Sequence, residues 1–353
     1  MHAWPACNRR TPVNFPFPTM TAASLRTRVV IPALALLLVV AMPPLIRAKS
    51  PQALPMAALA ADALGDAAFS VQDLEWNDDA RARRVPVRLF LPASVPGRQV
   101  PLIVFSHGIG SSRDGYGYLG RYWASHGIAS LHLQHVGSDR SLWQGNWLGL
   151  LSRFQHAAGE AEALDRAQDF HFALDRFLEG PHGQRIARER IVAAGHSYGA
   201  NTTLLVSGAK VVRDGKLFQL RDPRVSAAIV ISAPPFYGDA DFRPILSGIH
   251  IPTLHVTSED DVIHIPGYGS GVEDRLKVFD AMGGEKTLAV YKHGSHNVFT
   301  EKRYFDSLQV ATDVKAATES LSLAFLQQVY GGHDELQAWG NRNTGLYSKY
   351  STH

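Results

Sequence analysis

A serine between two glycines is the residue of this chain best placed to act as a nucleophile. Residues 195–199 read Gly-His-Ser-Tyr-Gly, a G-x-S-x-G pentapeptide centred on Ser197. The apolar run 191–194 before it predicts a short strand, and the apolar stretch 200–207 after it predicts a buried helix. A strand, a sharp turn and a helix in this order lift a serine hydroxyl above a sheet edge, and the two glycines have no Cβ to clash in that turn. The pattern therefore indicates nucleophilic catalysis by Ser197.

A serine hydroxyl is a weak nucleophile at neutral pH, so it needs a base and a third group that orients the base. In hydrolases with this turn, the acid and then the histidine follow the serine along the chain. The predicted strand 252–256 is followed by three acidic residues, Glu259, Asp260 and Asp261. Asp261 is the preferred acid, because the apolar residues 262–263 directly after it would hold that end of the loop against the body of the protein.

Two histidines follow the next predicted strand, 288–291, and either could be the base. His296 is preferred, because Gly294 and Ser295 give it a small, flexible approach that lets the imidazole reach over the sheet edge. The alternative is His293, which is more typical of a loop histidine with local hydrogen bonds.

The oxyanion of a tetrahedral intermediate needs two converging N–H donors. One is expected from the backbone of Tyr198, the residue after the nucleophile. The other is expected from a Gly-rich loop, residues 107–110 (His-Gly-Ile-Gly), which follows the apolar strand 101–105; Ile109 is the preferred donor. His107 precedes a glycine of that loop and is expected to brace it rather than to act as a second base.

These groups need a fold that places them at one edge. Strand patterns begin at residue 69, and the alternation of 85–92 between two prolines is typical of an edge strand. Further strands are predicted at 101–105, 128–133, 191–194, 227–231, 252–256 and 288–291, and helices at 116–126, 160–178, 200–207, 276–282 and 308–329. The alternation predicts an α/β fold with a doubly wound, mostly parallel sheet, which binds ligands at the carboxyl ends of its strands.

A tryptophan-bearing segment, residues 138–156, interrupts this alternation between a strand and a helix. It contains Trp143 and Trp147 together with several leucines. One interpretation is the start of a helix packed on the body. The other is an apolar wall over the substrate, with Trp143 and Trp147 as substrate-binding residues.

The first 60 residues differ from the rest of the chain. They contain six of the 35 Lys and Arg and no Asp or Glu, which leaves 29 basic against 32 acidic side chains, a net charge of −3, for the remainder. The apolar run 29–46 follows two arginines, as in an export signal. We therefore expect a leader over 1–60 that directs export to the periplasm or the medium, or that anchors the protein to a membrane. The remaining boundaries are a linker and start of the fold over 61–84, a catalytic domain over 85–340 and a C-terminal tail over 341–353.

Several other classes of function are disfavoured. The body carries no basic stripe interleaved with aromatics, so nucleic acid is not an expected partner. His132 and His135 flank a strand end without a cysteine or close carboxylates to complete a zinc set. Residues 115–120 have G-x-G-x-x-G spacing but do not directly follow a strand, as a dinucleotide loop must. The one cysteine, Cys7, lies in the leader, so the body has no disulfide.

The chain resembles the α/β-hydrolase superfamily, and within it the branch of platelet-activating factor acetylhydrolases and bacterial dienelactone-hydrolase-like and cutinase-like esterases. The similarity lies in residues 105–116 (Phe-Ser-His-Gly-Ile-Gly-Ser-Ser-Arg-Asp-Gly-Tyr), in Ala-Ser-His-Gly at 124–127, in the pentapeptide and in Ser295-His296. The acid loop of that branch resembles residues 257–263, where the alignment favours Asp261. The resemblance spans roughly residues 85–339; the absence of cysteine in the body departs from the cutinases.

The resemblance implies a Ser-His-Asp esterase that needs no metal or other cofactor and acts on short-chain or lipid-type esters. A thioesterase or a peptidase on the same fold would differ in the leaving group it prefers. A non-catalytic binding protein on this scaffold is disfavoured by the intact order of serine, acid and histidine.

Overall fold

The computed structural model describes residues 69–93, 98–265, 267–302, 304–332 and 334–353, apart from the side chain of Trp147. The leader over 1–60, its apolar run 29–46 and the start of the linker lie outside the described residues. Among the described helices, none combines the length and the apolar character needed to cross a membrane.

The described part of the chain alternates strands and helices. The strands are β1 (Phe69–Asp78), β2 (Arg83–Pro92), β3 (Val100–Ser106), β4 (Ala129–Leu133), β5 (Ile186–His196), β6 (Lys210–Arg213), β7 (Lys216–Gln219), β8 (Val225–Ile231), β9 (Thr253–Ser258), β10 (Lys286–Tyr291) and β11 (Tyr347–Thr352). The α-helices are α1 (Gly117–Ser125), α2 (Leu150–Ala157), α3 (Glu160–Glu179), α4 (Tyr198–Ser207), α5 (Arg243–Leu246), α6 (Val272–Asp280), α7 (Leu308–Gly331) and α8 (Glu335–Arg342).

The main sheet has the strand order β1-β2-β4-β3-β5-β8-β9-β10-β11, and β6 and β7 form a separate hairpin. The strands from β4 to β10 in that order are parallel, whereas β1, β2 and β11 run antiparallel to their neighbours. The prediction of an α/β fold with a mostly parallel sheet is confirmed.

Side chains alternate between the two faces of the sheet, so each face has its own core. On the first face, alternate residues of the parallel strands pack against α1, α7 and α8 around Trp123 and Trp339. On the second face, the intervening residues pack against α3 around Phe170, and against α4, α5 and α6 around Leu204. Helices on both faces bury the parallel strands, which explains their continuous apolar runs.

Two parts of the sheet differ from the sequence-based interpretation. The prediction of an edge strand over 85–92 is wrong, because β1 pairs antiparallel with the outer side of β2 along its whole length. In β2, Pro86 lies opposite Glu75 within this ladder. Residues 347–352 lie in the predicted C-terminal tail, 341–353. They form β11, which extends the sheet beyond β10. Its sequence is short and polar and has no apolar run that would predict a strand.

Candidate active site

Ser197 lies at the turn between β5 and α4 in a strained conformation. Its φ and ψ are 55° and −124°, a region that costs of order 1–3 kcal/mol for a residue with a side chain. Neighbouring backbone lies so close to Gly195 and Gly199 that neither position has room for a side chain. A Cβ on Gly195 would lie 2.2 Å from the carbonyl oxygen of Gly199, and a Cβ on Gly199 would lie 1.9 Å from the carbonyl oxygen of Ser106. The crowding of β3, β5 and α4 thus holds the serine in its strained geometry.

Three predicted residues meet at this turn. The Oγ of Ser197 lies 2.8 Å from Nε2 of His296, and Nδ1 of His296 lies 2.7 Å from Oδ1 of Asp261. With the proton on Nδ1 donated to the carboxylate, Nε2 presents its lone pair to the serine hydroxyl. His296 begins a short 3-10 helix after β10, and Asp261 follows β9, so both come from strand ends on the same side of Ser197.

Asp261 is fully buried among hydrogen-bond donors. Ser232 Oγ donates at 2.5 Å and Thr257 Oγ1 at 2.6 Å to Oδ2, while Arg275 donates to Oδ1 at 3.3 Å. Burial by itself raises the pKa of Asp261, but the charge and hydrogen bond of His296, together with Arg275 and Ser232, hold this pKa well below its ordinary value. The carboxylate therefore stays ionised and fixes the orientation of the imidazole.

The alternative acids and base lie away from the serine. Asp260 is exposed and accepts a hydrogen bond from the Gly294 backbone, and Glu259 pairs with Ser348 at the surface. His293 is also exposed, 3.6 Å from Asp260. The apolar residues after Asp261 do not account for its burial, since Val262 is itself 40% exposed. Asp261 is instead surrounded by donors from Ser232 after β8, from β9 and from α6.

The Gly-rich loop after β3 carries a free donor beside the nucleophile. The N–H of Gly108 donates to Tyr116 Oη at 3.1 Å, and the N–H of Gly110 donates to the Ser138 carbonyl at 2.8 Å. Among the described residues, the N–H of Ile109 between them has no hydrogen-bond partner within the chain. Tyr198 is the first residue of α4, where an N–H has no intrahelical acceptor. Two unsatisfied backbone donors, Ile109 and Tyr198, therefore belong to the segments that flank Ser197.

Arg166 braces this loop from α3. The guanidinium is fully buried and donates to the His107 carbonyl at 2.5 Å, to Ser138 Oγ at 2.8 Å and to Thr202 Oγ1 at 2.9 Å. It also lies 4.5 Å over the ring of Tyr198. Burial lowers the pKa of Arg166, and the nearby rings and carboxylates oppose this shift. Arg166 thus contacts both segments that carry the free donors.

The histidines near the loop are bound as neutral side chains. The Nδ1 of His107 donates to the Gly108 carbonyl, and its Nε2 accepts the His135 N–H, so His107 does brace the loop. His135 contacts Asp169 and Ser106, and His132 contacts Ser130. Burial lowers the pKa of His107 well below its ordinary value. Burial also lowers the pKa of His132, to about 3. Within the described ranges, no group of three His, Cys, Asp or Glu is arranged to hold a metal ion.

A second chain of contacts joins the loop to the base. His196, the residue before the nucleophile, donates through Nε2 to the His296 carbonyl at 3.0 Å and accepts at Nδ1 from Tyr116 Oη at 2.8 Å. The same phenol accepts the N–H of Gly108. The pKa of His196 is lowered to about 3, and burial is the largest cause. The charge of His296 is the second largest cause of this lowering. His196 therefore stays neutral and connects the loop with the backbone that carries the base.

Four of these supporting residues were not predicted from the sequence: Tyr116, Arg166, His196 and Ser232. Tyr116 and His196 lie within the motifs described above, but those motifs do not indicate which residues they contact. Ser232 follows β8 with φ 53°, a conformation that no local motif announces.

Trp143 packs on the outside of the loop. Its Nε1 donates to the Gly110 carbonyl at 2.8 Å, and the indole lies where a Cβ on Gly110 would be, although 57% of Trp143 is exposed. The neighbouring Leu142 and Phe154 are buried in a small cluster that includes Ile109. The segment 138–156 is therefore in part packed on the body. The side chain of Trp147 lies outside the described part of the structure.

The mostly parallel sheet and the sharp turn after β5 define an α/β-hydrolase fold. Residues 82–145 match the model of a family described as platelet-activating factor acetylhydrolase, isoform II. The matched range contains the Gly-rich loop, Tyr116 and Trp143, but ends before Ser197. The chain is thus similar to this acetylhydrolase family over β2 to β4, and the match supports a hydrolase at the level of the family.

Proposed function

We propose that this protein is a serine hydrolase that cleaves carboxylic esters through a covalent acyl-enzyme. The single observation that carries the proposal is the chain of two short contacts, from Ser197 Oγ to His296 Nε2 at 2.8 Å and from His296 Nδ1 to Asp261 at 2.7 Å. A serine within hydrogen-bond reach of a base, which a third group orients, is the arrangement that activates a hydroxyl. The family match supports the same type of reaction.

In the first half of the reaction, Ser197 Oγ attacks the ester carbonyl carbon while Nε2 of His296 takes the hydroxyl proton. The carbonyl π-electrons move to oxygen, where the N–H groups of Ile109 and Tyr198 stabilise the negative charge. Collapse of this intermediate breaks the bond to the alcohol oxygen, which receives the proton from His296. The product is an ester of Ser197 and a free alcohol.

In the second half, a water molecule attacks the acyl-enzyme and gives its proton to His296. Collapse releases the carboxylic acid and returns the proton to Ser197 Oγ. Asp261 remains ionised throughout, because its donors hold the pKa below the ordinary range against the effect of burial. Its role is to keep the imidazole in the correct tautomer and to stabilise the imidazolium.

The test compares the full chain with two serine variants, one directly before α4 and one at its end, using p-nitrophenyl acetate. Ser197→Ala removes the proposed nucleophile, so we expect turnover to fall by about 10³-fold or more. Ser207→Ala is the matched control: Ser207 is the buried last residue of α4, and its Oγ has no hydrogen-bond partner among the described residues. Its turnover should stay within about twofold. Equal activity of Ser197→Ala and the unsubstituted protein would refute the proposal.

A further inference from the structure

A cavity on the second face of the sheet is lined in part by Tyr198, the residue that follows Ser197. It has a volume of about 210 Å³; an apolar cavity of about 150 Å³ binds benzene. The start of α3, one flank of α4, the hairpin β6–β7 and the segment after β8 enclose it, and its lining is mostly apolar and aromatic. The prominent lining residues are Ala163, Tyr198, Leu205, Val211, Phe236 and Tyr268.

The cavity follows α4 away from Ser197. Tyr198, Asn201 and Leu205 all line it, and their spacing places them on one side of the helix. From Tyr198 to Leu205 the helix rises by about 10 Å, at about 1.5 Å per residue. A zigzag chain with carbon–carbon bonds near 1.5 Å advances about 1.25 Å per carbon. The stretch of α4 that lines the cavity is therefore about as long as a linear chain of eight carbons.

The position of His296 decides which half of an ester would enter. Val298 and Phe299, in the short helix that His296 begins, belong to the core of the first face. Leu205, Val211 and Phe236 belong to a core on the second face. Since His296 must hand its proton to the departing alcohol, the alcohol leaves on the side of His296. The acyl group then points to the opposite side, towards Tyr198, which lines the cavity.

We propose that this cavity is the acyl-binding subsite and that it takes unbranched acyl chains of about six to eight carbons. This inference depends on the proposed ester hydrolysis. The hairpin β6–β7 supplies the wall of the subsite through Val211 and Phe218. Two polar side chains of the lining are engaged by other residues: Arg213 pairs with Asp239, and Nδ2 of Asn201 donates to the carbonyl of Pro234, which also lines the cavity. The buried Oδ1 of Asn201 has no hydrogen-bond partner among the described residues. Burial of the chain against the lining supplies the binding energy.

The test uses two isomeric esters, ethyl octanoate and octyl acetate, which carry the long chain on opposite sides of the scissile bond. Val211→Phe places a ring in the cavity, because Val211 is buried and lines it. Val212→Phe is the matched control: Val212 is the next residue of β6, is 56% exposed and does not line the cavity. Release of acid is titrated for the full chain and both variants.

We expect Val211→Phe to lower kcat/KM for ethyl octanoate at least tenfold and to leave octyl acetate and ethyl acetate within about twofold. Val212→Phe should leave all three within about twofold. Loss confined to octyl acetate would overturn the acyl assignment, as would an unchanged preference between the isomers in Val211→Phe.

A separate measurement distinguishes failure of this inference from failure of the proposed function. Octanoate binding to the Ser197→Ala protein is measured by calorimetry, with and without Val211→Phe. Binding that Val211→Phe abolishes would support the cavity as the chain site even if the unsubstituted protein hydrolysed no ester. Absence of octanoate binding, or binding that Val211→Phe does not weaken, would overturn the inference.

Discussion

The candidate site is built from two regions that hold their residues by different means. The region proposed for acid–base catalysis, called the acid–base side, consists of Ser232, Asp261 and His296, after the ends of β8, β9 and β10. One carboxylate there is surrounded by hydroxyls and a single arginine, and the His296 side chain keeps 13% exposure. The region proposed to bind the oxyanion, called the oxyanion side, is the loop 107–110 with Arg166 behind it, inside a buried network of charges.

The network behind the loop extends to the outer strands. Arg83 pairs with Glu162 and Asp169, Arg81 also pairs with Asp169, and Ser138 connects Glu162 with Arg166. Asp169 and Arg166 are fully buried. The difference fits the tasks proposed for the two sides: a base must exchange protons, whereas backbone donors must only keep their positions. The family match covers the loop of the oxyanion side and none of the acid–base residues.

Loss of the proposed triad acid should have the largest effect on kcat, and this effect should be confined to the acid–base side. Asp261→Asn should lower kcat by about 10⁴-fold, the size of effect known when a triad aspartate becomes an asparagine, because the amide favours the wrong imidazole tautomer. Asp260→Asn, at the exposed neighbour, should stay within about twofold. Steady-state kinetics with p-nitrophenyl acetate measure both. The reverse ranking would show that the wrong carboxylate has been placed in the site.

The oxyanion side should respond in stability as well as in rate. Arg166→Met leaves buried partners without their cation, so the free energy of unfolding should drop by about 3–5 kcal/mol, measured by urea denaturation. We expect kcat to fall by about 10–100-fold with little change in KM, since the oxyanion donors act in the transition state. Arg190→Met is the control, because Arg190 also lies over a tyrosine ring but is 44% exposed. A changed KM with an unchanged kcat would contradict this positioning role.

Acid should weaken the fold through its buried neutral histidines. Burial lowers the pKa of His132 and of His196 to about 3, whereas an unfolded histidine titrates near 6.5. Between these values the unfolded chain binds more protons, so stability falls as the pH falls from about 6.5 towards 3, by up to about 1.4 kcal/mol per pH unit for each such histidine. Burial raises the pKa of Glu319 to about 7, and this single group acts in the opposite direction.

A single substitution sharpens this test. His132→Phe should reduce the slope of unfolding free energy against pH by about one proton relative to the unsubstituted protein. Equal slopes for the variant and the unsubstituted protein between pH 6.5 and 4 would refute the assignment.

The smallest expected effect belongs to a supporting hydroxyl of the acid–base side. Ser232→Ala removes one of the donors to Asp261, and Thr257 and Arg275 remain. A net contribution of about 1 kcal/mol per hydrogen bond corresponds to a fall in kcat of about fivefold. Ser226→Ala is the control: Ser226 lies in β8, the strand that precedes Ser232, and its Oγ is bound to Ile191 and Tyr330. A drop beyond about 10³-fold would make Ser232 part of the reaction itself.

The same comparison explains what the sequence could predict. Ser197 and the loop 107–110 could be predicted from the sequence because local rules govern them. Glycines permit a strained turn, and apolar runs indicate the strands that precede it. The α/β fold followed from the alternation of such runs. Their order also predicted that Asp261 and His296 follow two successive strands, which in the structure are β9 and β10.

The supporting contacts could not be predicted, because they join residues far apart in the chain. Arg166 reaches back to His107, and Ser232 reaches forward to Asp261. An arginine within an amphipathic helix is typical of a solvated face, and only the packing of α3 behind the loop buries this one. The antiparallel outer strands also escaped prediction in part, since two prolines made β2 resemble an edge.

The most direct test of the central claim is covalent labelling of the full chain with a fluorophosphonate, followed by mass spectrometry of the peptides. A hydroxyl activated by His296 and Asp261 attacks phosphorus and expels fluoride, so we predict one adduct per chain, on Ser197, and a much slower reaction in Asp261→Asn. No adduct on folded protein, or an adduct on a different serine, would contradict the account.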